Sequence, residues 1–345
     1  MMIMRRIARA LVYILVLLAV TALLVVASGA SPLQAAGVFW DGIFGVENGY
    51  FEIFVKGTPL ILTGLACALA FRTGFFNIGA EGQFYMGAAA AAAVALRLTF
   101  LPVPVRLPMA FLAGFLAGGL WSLIAAGMKL RFKISEIIVT IMLNYIAVSF
   151  IGVAVRTFLQ DPSSGLPQSE RLAQGMALSR LVTGTRLHIG FFIALAAALV
   201  IWLILEKTTW GYEMRLVGMN PRAAEVNGIP AKGSLIRAAM ISGGVAGLAG
   251  VIEFMALQKK LLEGFSADCG YTGVLIALLA GNRPEFVPVV ALLYAAAQVG
   301  AQSMQRYAAV PSSIVNILIG CIVILVLIRS WLSARLREKG MKNHA

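Results

Sequence analysis

Long apolar runs separated by short polar or glycine-bearing stretches set the pattern of this chain of 345 residues. A helix that crosses a bilayer needs about 20 mostly apolar residues. Runs near that length lie at 9–28, 57–73, 77–96, 108–128, 135–158, 188–205, 237–257, 286–305 and 311–328. The run 271–280 is too short to span alone and predicts a broken or re-entrant helix after Gly264-Phe-Ser-Ala-Asp-Cys-Gly270. The pattern predicts an all-α polytopic membrane protein with about ten spans, forming one transmembrane domain over 1–345. Small residues fill 87–95 and recur at Gly114, Gly118, Gly119, Gly127, Ser242, Gly243, Gly244, Gly247 and Gly250. They predict helices whose backbones approach closely.

Polar groups interrupt this pattern at few places. The stretch from Phe71 to Gly87 carries Arg72, Asn77, Glu81 and Gln83 among four glycines. Broken backbone at membrane depth is tolerated only where protein buries it or water lines it. An ionisable group there costs roughly 2.5–3.5 kcal/mol on insertion scales, so Glu81 is a candidate functional group. A structural reading stands beside it, in which Glu81 pairs with Arg72 near an interface. Asn144 sits mid-run and either bonds a neighbouring helix or lines a path. Glu253 is a second intramembrane acid or an end residue near Lys259 and Lys260. Gln298 and Gln302 share a helix face, and Asn316 is embedded in the last run. Phe75, Phe76, Phe84 and Tyr85 either pack or contact a flat ligand.

Two connections stand out. Residues 156–187 form the longest polar segment, and long ordered loops tend to be functional, which makes it a candidate docking surface. In 207–235, Asn220 suits an N-cap, Pro221 the first helical position and Gly228 a left-handed stop. This predicts a two-turn helix capped at both ends. A helix shorter than about 12 residues is marginal in water, so this one requires a supporting surface. Ser135 before Glu136 likewise predicts a helix start.

Charge then sets orientation. Lys and Arg number 28 against 15 Asp and Glu, a net +13. Only 12% of residues are charged and mean hydropathy is +0.89. Arg5, Arg6 and Arg9, the run Lys129-Leu-Arg-Phe-Lys133, Arg215, Arg222, Lys232 and Arg237, and the tail 329–345 place basic ends on one side. The positive-inside rule makes that side cytoplasmic, with both termini there and 156–187 opposite. No basic and aromatic stripe stands clear of the spans, which argues against nucleic acid. The first apolar run exceeds the 7–15 residues of a signal core, so a first transmembrane helix is expected. Cys67, Cys269 and Cys321 are scattered, and His188 stands far from the other histidine, His344, so no metal site is expected. Halves at 57–158 and 237–328, each with an interrupted segment, suggest a pseudo-repeat around a transport site. Interrupted helices with Glu81 and Glu253 also suit an ion-driven secondary transporter. No catalytic constellation appears, so an embedded enzyme is disfavoured.

Four motifs resemble bacterial ABC importer permeases: Phe76-Asn-Ile-Gly-Ala-Glu-Gly-Gln-Phe-Tyr-Met-Gly87, Glu136-Ile-Ile-Val-Thr-Ile-Met-Leu-Asn-Tyr145, Gly211-Tyr-Glu-Met-Arg-Leu-Val-Gly-Met-Asn220 and Gly270-Tyr-Thr-Gly273. The likeness covers about 50–330 and is to the nucleoside and simple-sugar branch, with ribose-type and branched-chain amino acid permeases as wider kin. Asn77 to Gln83 followed by Asn144-Tyr145 is most similar to the nucleoside type. The resemblance implies a multi-pass inner-membrane permease, itself no enzyme, that works with a second permease subunit, ATPase subunits and an extracytoplasmic substrate-binding protein. It implies alternating access, with Gly211, Glu213, Arg215, Gly218, Asn220, Pro221, Arg222, Ala223, Ala224, Glu225 and Gly228 forming the ATPase-coupling region. The chain lacks a G-x-x-x-x-G-K-[ST] loop, so ATP and magnesium would bind the ATPase and no cofactor is expected here. Candidate path residues are Asn77, Glu81, Gln83, Phe76, Tyr85, Asn144, Glu253 and Gln298.

Overall fold

Proline, glycine and side-chain capping decide where the apolar runs become helices. The computed structural model describes residues 29–45 and 48–311, with scattered positions on either side. Most of the expected first helix at 9–28, most of the last at 311–328 with Asn316, Cys321 and the basic tail lie outside the described residues. The helices are α1 (Pro32–Trp40), α2 (Gly49–Arg72), α3 (Ala80–Arg97), α4 (Val103–Phe132), α5 (Glu136–Ala154) and α6 (Gly190–Lys207). There follow α7 (Thr209–Met219), α8 (Pro221–Val226), α9 (Ala231–Glu253), α10 (Cys269–Leu279) and α11 (Val287–Tyr307). Single π-helical turns occupy Asp41–Gly45 and Phe254–Gln258. Among the described residues the extended pairings are isolated bridges, such as Gln160 with Ser169, and no sheet forms.

Six of the described helices are long and apolar enough to cross a membrane: α2, α4, α5, α6, α9 with its π turn, and α11. The short apolar helix predicted near 271–280 is present as α10. Several starts differ from the expected ones for physical reasons. The second helix begins at Gly49, not 57, because its first turns are aromatic and pack, Phe54 lying 5.1 Å from the Phe191 ring. The third begins at Ala80, not near Asn77. The Asn77 side chain accepts from the Gly79 N–H at 2.9 Å, a local bond that competes with a helical start. The fourth begins at Val103, because Pro104 falls in the first turn, where a missing N–H leaves no bond unmade. Ser135 does stand at the N-cap of α5, but its side chain makes no capping bond.

The described residues divide into two compact units, one of those up to 53 together with those from 293 onward, and one of 54–292. In the first, Val25, Ala35, Met304 and Val310 form a small buried cluster with Phe39 against it. In the second, α9 packs on α3 and α4 through glycine. A Cβ on Gly87 would lie 2.4 Å from the Gly247 Cα, and one on Gly118 would lie 2.3 Å from the Gly243 carbonyl oxygen. Only backbone fits there, as the small-residue runs predicted.

Candidate functional site

Between α2 and α3 the chain leaves helical geometry, with Gly74 in the left-handed region at φ 75. Asn77 is fully buried in this break. Its Nδ2 donates to Gln83 Oε1 and to Ser242 Oγ, each at 2.9 Å. Its Oδ1 accepts from Gln83 Nε2 and from the Gly79 N–H, also at 2.9 Å. Ser242 on α9 donates its own hydroxyl hydrogen bond to the Ala66 carbonyl at 2.7 Å. Asn144 on α5 closes the cluster from another side. Its Oδ1 accepts from the Gly82 N–H at 2.8 Å and its Nδ2 donates to the Ile78 carbonyl at 3.0 Å. Three expected site residues thus brace the start of α3, and Ser242, which the sequence offered only as part of a small-residue run, joins them.

Glu81 does not pair with Arg72, which instead binds Glu206. The carboxylate of Glu81 is 3% exposed and accepts from the Ser266 hydroxyl and, at 2.7 Å, from the Gly270 N–H. The Tyr85 hydroxyl meets Ser266 Oγ at 3.0 Å. A Cβ on Gly270 would sit 2.2 Å from the Glu81 nitrogen, so the starts of α3 and α10 abut. Each helix start presents free N–H groups and a partial positive charge, which the carboxylate between them balances. The bend that delivers Ser266 and Gly270 is strained, with Ala267 and Asp268 both at positive φ. Thr63 on α2 donates to the Cys269 carbonyl at 3.0 Å. By helical rise Thr63 lies about 14 Å from the end of α2 at Arg72, so the meeting point is deep within the apolar length of that helix.

The remaining candidates lie elsewhere. Phe76 is 49% exposed and its N–H donates to Glu136 Oε1 at 3.3 Å. Glu253 is buried at the end of α9, where Gln258 donates to it at 3.3 Å. Gln298 is half-buried on α11, in the first unit, and Gln302 is exposed.

The capped helix is present as α8. Asn220 Oδ1 accepts from the Arg222 and Ala223 N–H groups at 3.1 Å, and Gly228 takes φ 79. Met219 just before it and Val226 at its last position are 82% and 88% exposed. The preceding α7 was not expected as a helix of its own. Arg215 on α7 meets Glu206 Oε2 at 3.1 Å, and Glu213 meets Arg237 of α9 at 2.7 Å. A Cβ on Gly218 would fall 2.0 Å from the Arg72 carbonyl oxygen, so α7 rests on the end of α2.

Residues 49–327 match the family model described as the permease component of the branched-chain amino acid transport system. The chain belongs to this permease family. The matched span is close to that of the motif resemblance. The permease is 37% identical over 320 residues to the guanosine ABC transporter permease protein NupP of Bacillus subtilis, covering 92% of this chain and 91% of that one. It is 33% identical to the glucose ABC transporter permease protein TsgB13 of Haloferax volcanii, over 94% of this chain and 87% of the relative. It is 31% identical to the nucleoside ABC transporter permease protein NupB of Lactococcus lactis, over 89% and 87%. With its six candidate spans, the permease is a multi-pass membrane protein and a transport subunit.

Proposed function

We propose that this permease imports nucleosides by alternating access, driven by ATPase subunits it does not contain. Two of the three relatives described above are named for guanosine or nucleoside transport, which supports that substrate class. The observation that carries the drive mechanism is α8, capped at both ends, with exposed Met219 just before it and exposed Val226 at its last position. A helix this short needs a surface to rest on, and an ATPase groove supplies it. In this reading residues 207–235 face the cytoplasm, 156–187 meet an extracytoplasmic substrate-binding protein, and a second permease subunit completes the pore. About ten spans are traversed, with both termini cytoplasmic and two pseudo-repeated halves. ATP and magnesium are held by the partner ATPase, and the permease holds no cofactor.

Asn77, Glu81, Gln83, Phe76, Tyr85, Asn144, Glu253 and Gln298 are assigned to the path. The buried polar groups among them bond to one another or to the chain in this conformation. An open state would exchange those bonds for ribose hydroxyls and base edges. Only a substrate bound differently in the two states shifts their balance. Uptake of radiolabelled guanosine into proteoliposomes holding the full complex tests the reading. ATP-dependent uptake that falls at least tenfold in Glu81→Ala with assembly intact supports it. Glucose uptake without guanosine uptake would move the substrate to sugars, as in the Haloferax volcanii relative. Uptake driven by a proton gradient without ATP would overturn the drive mechanism.

A further inference from the structure

The contacts of α7 lead from the proposed coupling segment to Asn77 by two routes. On the first, Glu206 at the end of α6 gives one carboxylate oxygen to Arg72 and the other to Arg215. It therefore joins the last residue of α2 to the middle of α7. Gly218 lies directly on the Arg72 carbonyl, so charge and backbone contact coincide. Beyond Arg72 the chain is held at Gly74, whose carbonyl accepts from Lys129 Nζ at 3.0 Å, and at Phe76, bonded to Glu136. It then reaches Asn77. On the second route, Glu213 binds Arg237, which also lies over the Trp210 ring at 5.5 Å. Arg237 is one turn and a half below Ser242 on α9, and Ser242 is the partner of Asn77. Both routes end on the same hydrogen bond.

We infer that Glu206 is a transmission residue, which makes displacement of the coupling segment pull on Arg72 and so on the break that carries Asn77. The side chains of Arg72, Glu206 and Arg215 are 23%, 29% and 28% exposed. Ion pairs partly open to solvent contribute modestly to stability. What three charges from three elements do supply is a fixed relative position. The helix α7 cannot turn or withdraw without breaking one arm of the carboxylate or driving Gly218 off the Arg72 carbonyl. Glu206 thus acts through its neighbours and is a positioning residue. The inference rests on the coupling role proposed above for 207–235.

The test uses the complete complex of permeases, ATPase subunits and binding protein in proteoliposomes. Its readout is radiolabelled guanosine carried per ATP hydrolysed. In Glu206→Gln hydrolysis continues while that ratio falls about tenfold. Glu206→Asp, which keeps the charge, recovers most of it. Arg215→Gln removes one arm from the other side and gives the same fall, which reads the effect if Glu206→Gln fails to assemble. A ratio equal to the unaltered complex in both neutral variants overturns the inference. So does an equal loss of hydrolysis and uptake in all three variants, the mark of a purely structural role. A chain with 221–226 scrambled separates the two levels. If it still imports, the coupling reading itself fails. If it does not, while Glu206→Gln stays tightly coupled, only the role of Glu206 fails.

Discussion

Asn77 spends its whole hydrogen-bonding capacity inside the protein, with two donors and two acceptor sites all engaged. An aspartate has the same shape but no donors. Asn77→Asp would leave Gln83 Oε1 and Ser242 Oγ each without a donor and place a charge in a dry site. The expected cost is about 2–3 kcal/mol, read as a lower unfolding temperature of the purified permease in detergent. An unchanged midpoint would mean that the cluster relaxes around the charge. His188 presents the opposite case. It is buried at the entry to α6 and neither ring nitrogen has a hydrogen-bond partner. Replacing it by an apolar residue of similar size removes polar atoms that gain nothing from the fold. His188→Leu is expected to leave the unfolding temperature unchanged or raised, and a clear fall would show that the imidazole makes a bond of its own.

At the scale of elements, α8 is six residues long and depends on its ends. Asn220→Ala removes the acceptor for two N–H groups and is expected to cost the helix about 1 kcal/mol. Hydrogen exchange at the Arg222 and Ala223 amides is the direct reading, and it should accelerate several-fold. Unchanged protection would place the support of α8 elsewhere. This helix was legible in the sequence because a cap, a proline and a glycine are local signals. The spans α2, α4, α5, α6, α9 and α11 were legible from apolar length alone. The true start of α3 was not, because it depends on where Asn77 points its amide. Nor was the union of Glu81 with Ser266 and Gly270, which lie 185 and 189 positions away in the chain. Interruption marked both stretches as unusual, but no local pattern says which carboxylate meets which helix start. The structural reading of Glu81, one of two, paired it with Arg72, its nearest opposite charge in sequence. It fails because Arg72 ends a helix beside Glu206, while Glu81 lies deep within the apolar length.

At the scale of the molecule, the exposed apolar side chains Leu112, Leu116, Leu120 and Ile124 recur every fourth residue on α4. They form the stripe a helix offers to lipid, as the overall hydropathy requires. The segment 156–187 is tied down differently, by main-chain bonds to the chain after α9. Leu172 N–H donates to the Lys259 carbonyl at 2.8 Å and Ser169 N–H to the Leu261 carbonyl at 3.0 Å. Two carboxylates reinforce this lacing. Glu263 holds Arg156 in a two-armed bond at 2.6 and 2.9 Å, and that bond keeps its carboxyl below the ordinary value of 4.5. Asp161 accepts from the Ser163 hydroxyl and N–H, which hold its carboxyl below the ordinary 3.8, with Lys260 3.8 Å away. Both folded-state values are depressed, so both groups favour the laced form wherever they are ionised. Their contribution is complete above the ordinary carboxylate range and is lost as pH falls through the depressed values. The Arg156–Glu263 pair is open to solvent and screened by salt, and Asp161 is buried within the segment itself, so the effect is local loosening and not global unfolding. Acidification from neutral to below the carboxylate range is therefore expected to increase cleavage within 156–187 by a protease active at both ends of that range, relative to its cleavage of an unfolded reference peptide. A chain carrying Glu263→Gln and Asp161→Asn should be cleaved faster at neutral pH and gain little on acidification. If that double variant gained as much as the unaltered chain, the acid response would belong to other groups, and the lacing would rest on its main-chain bonds alone.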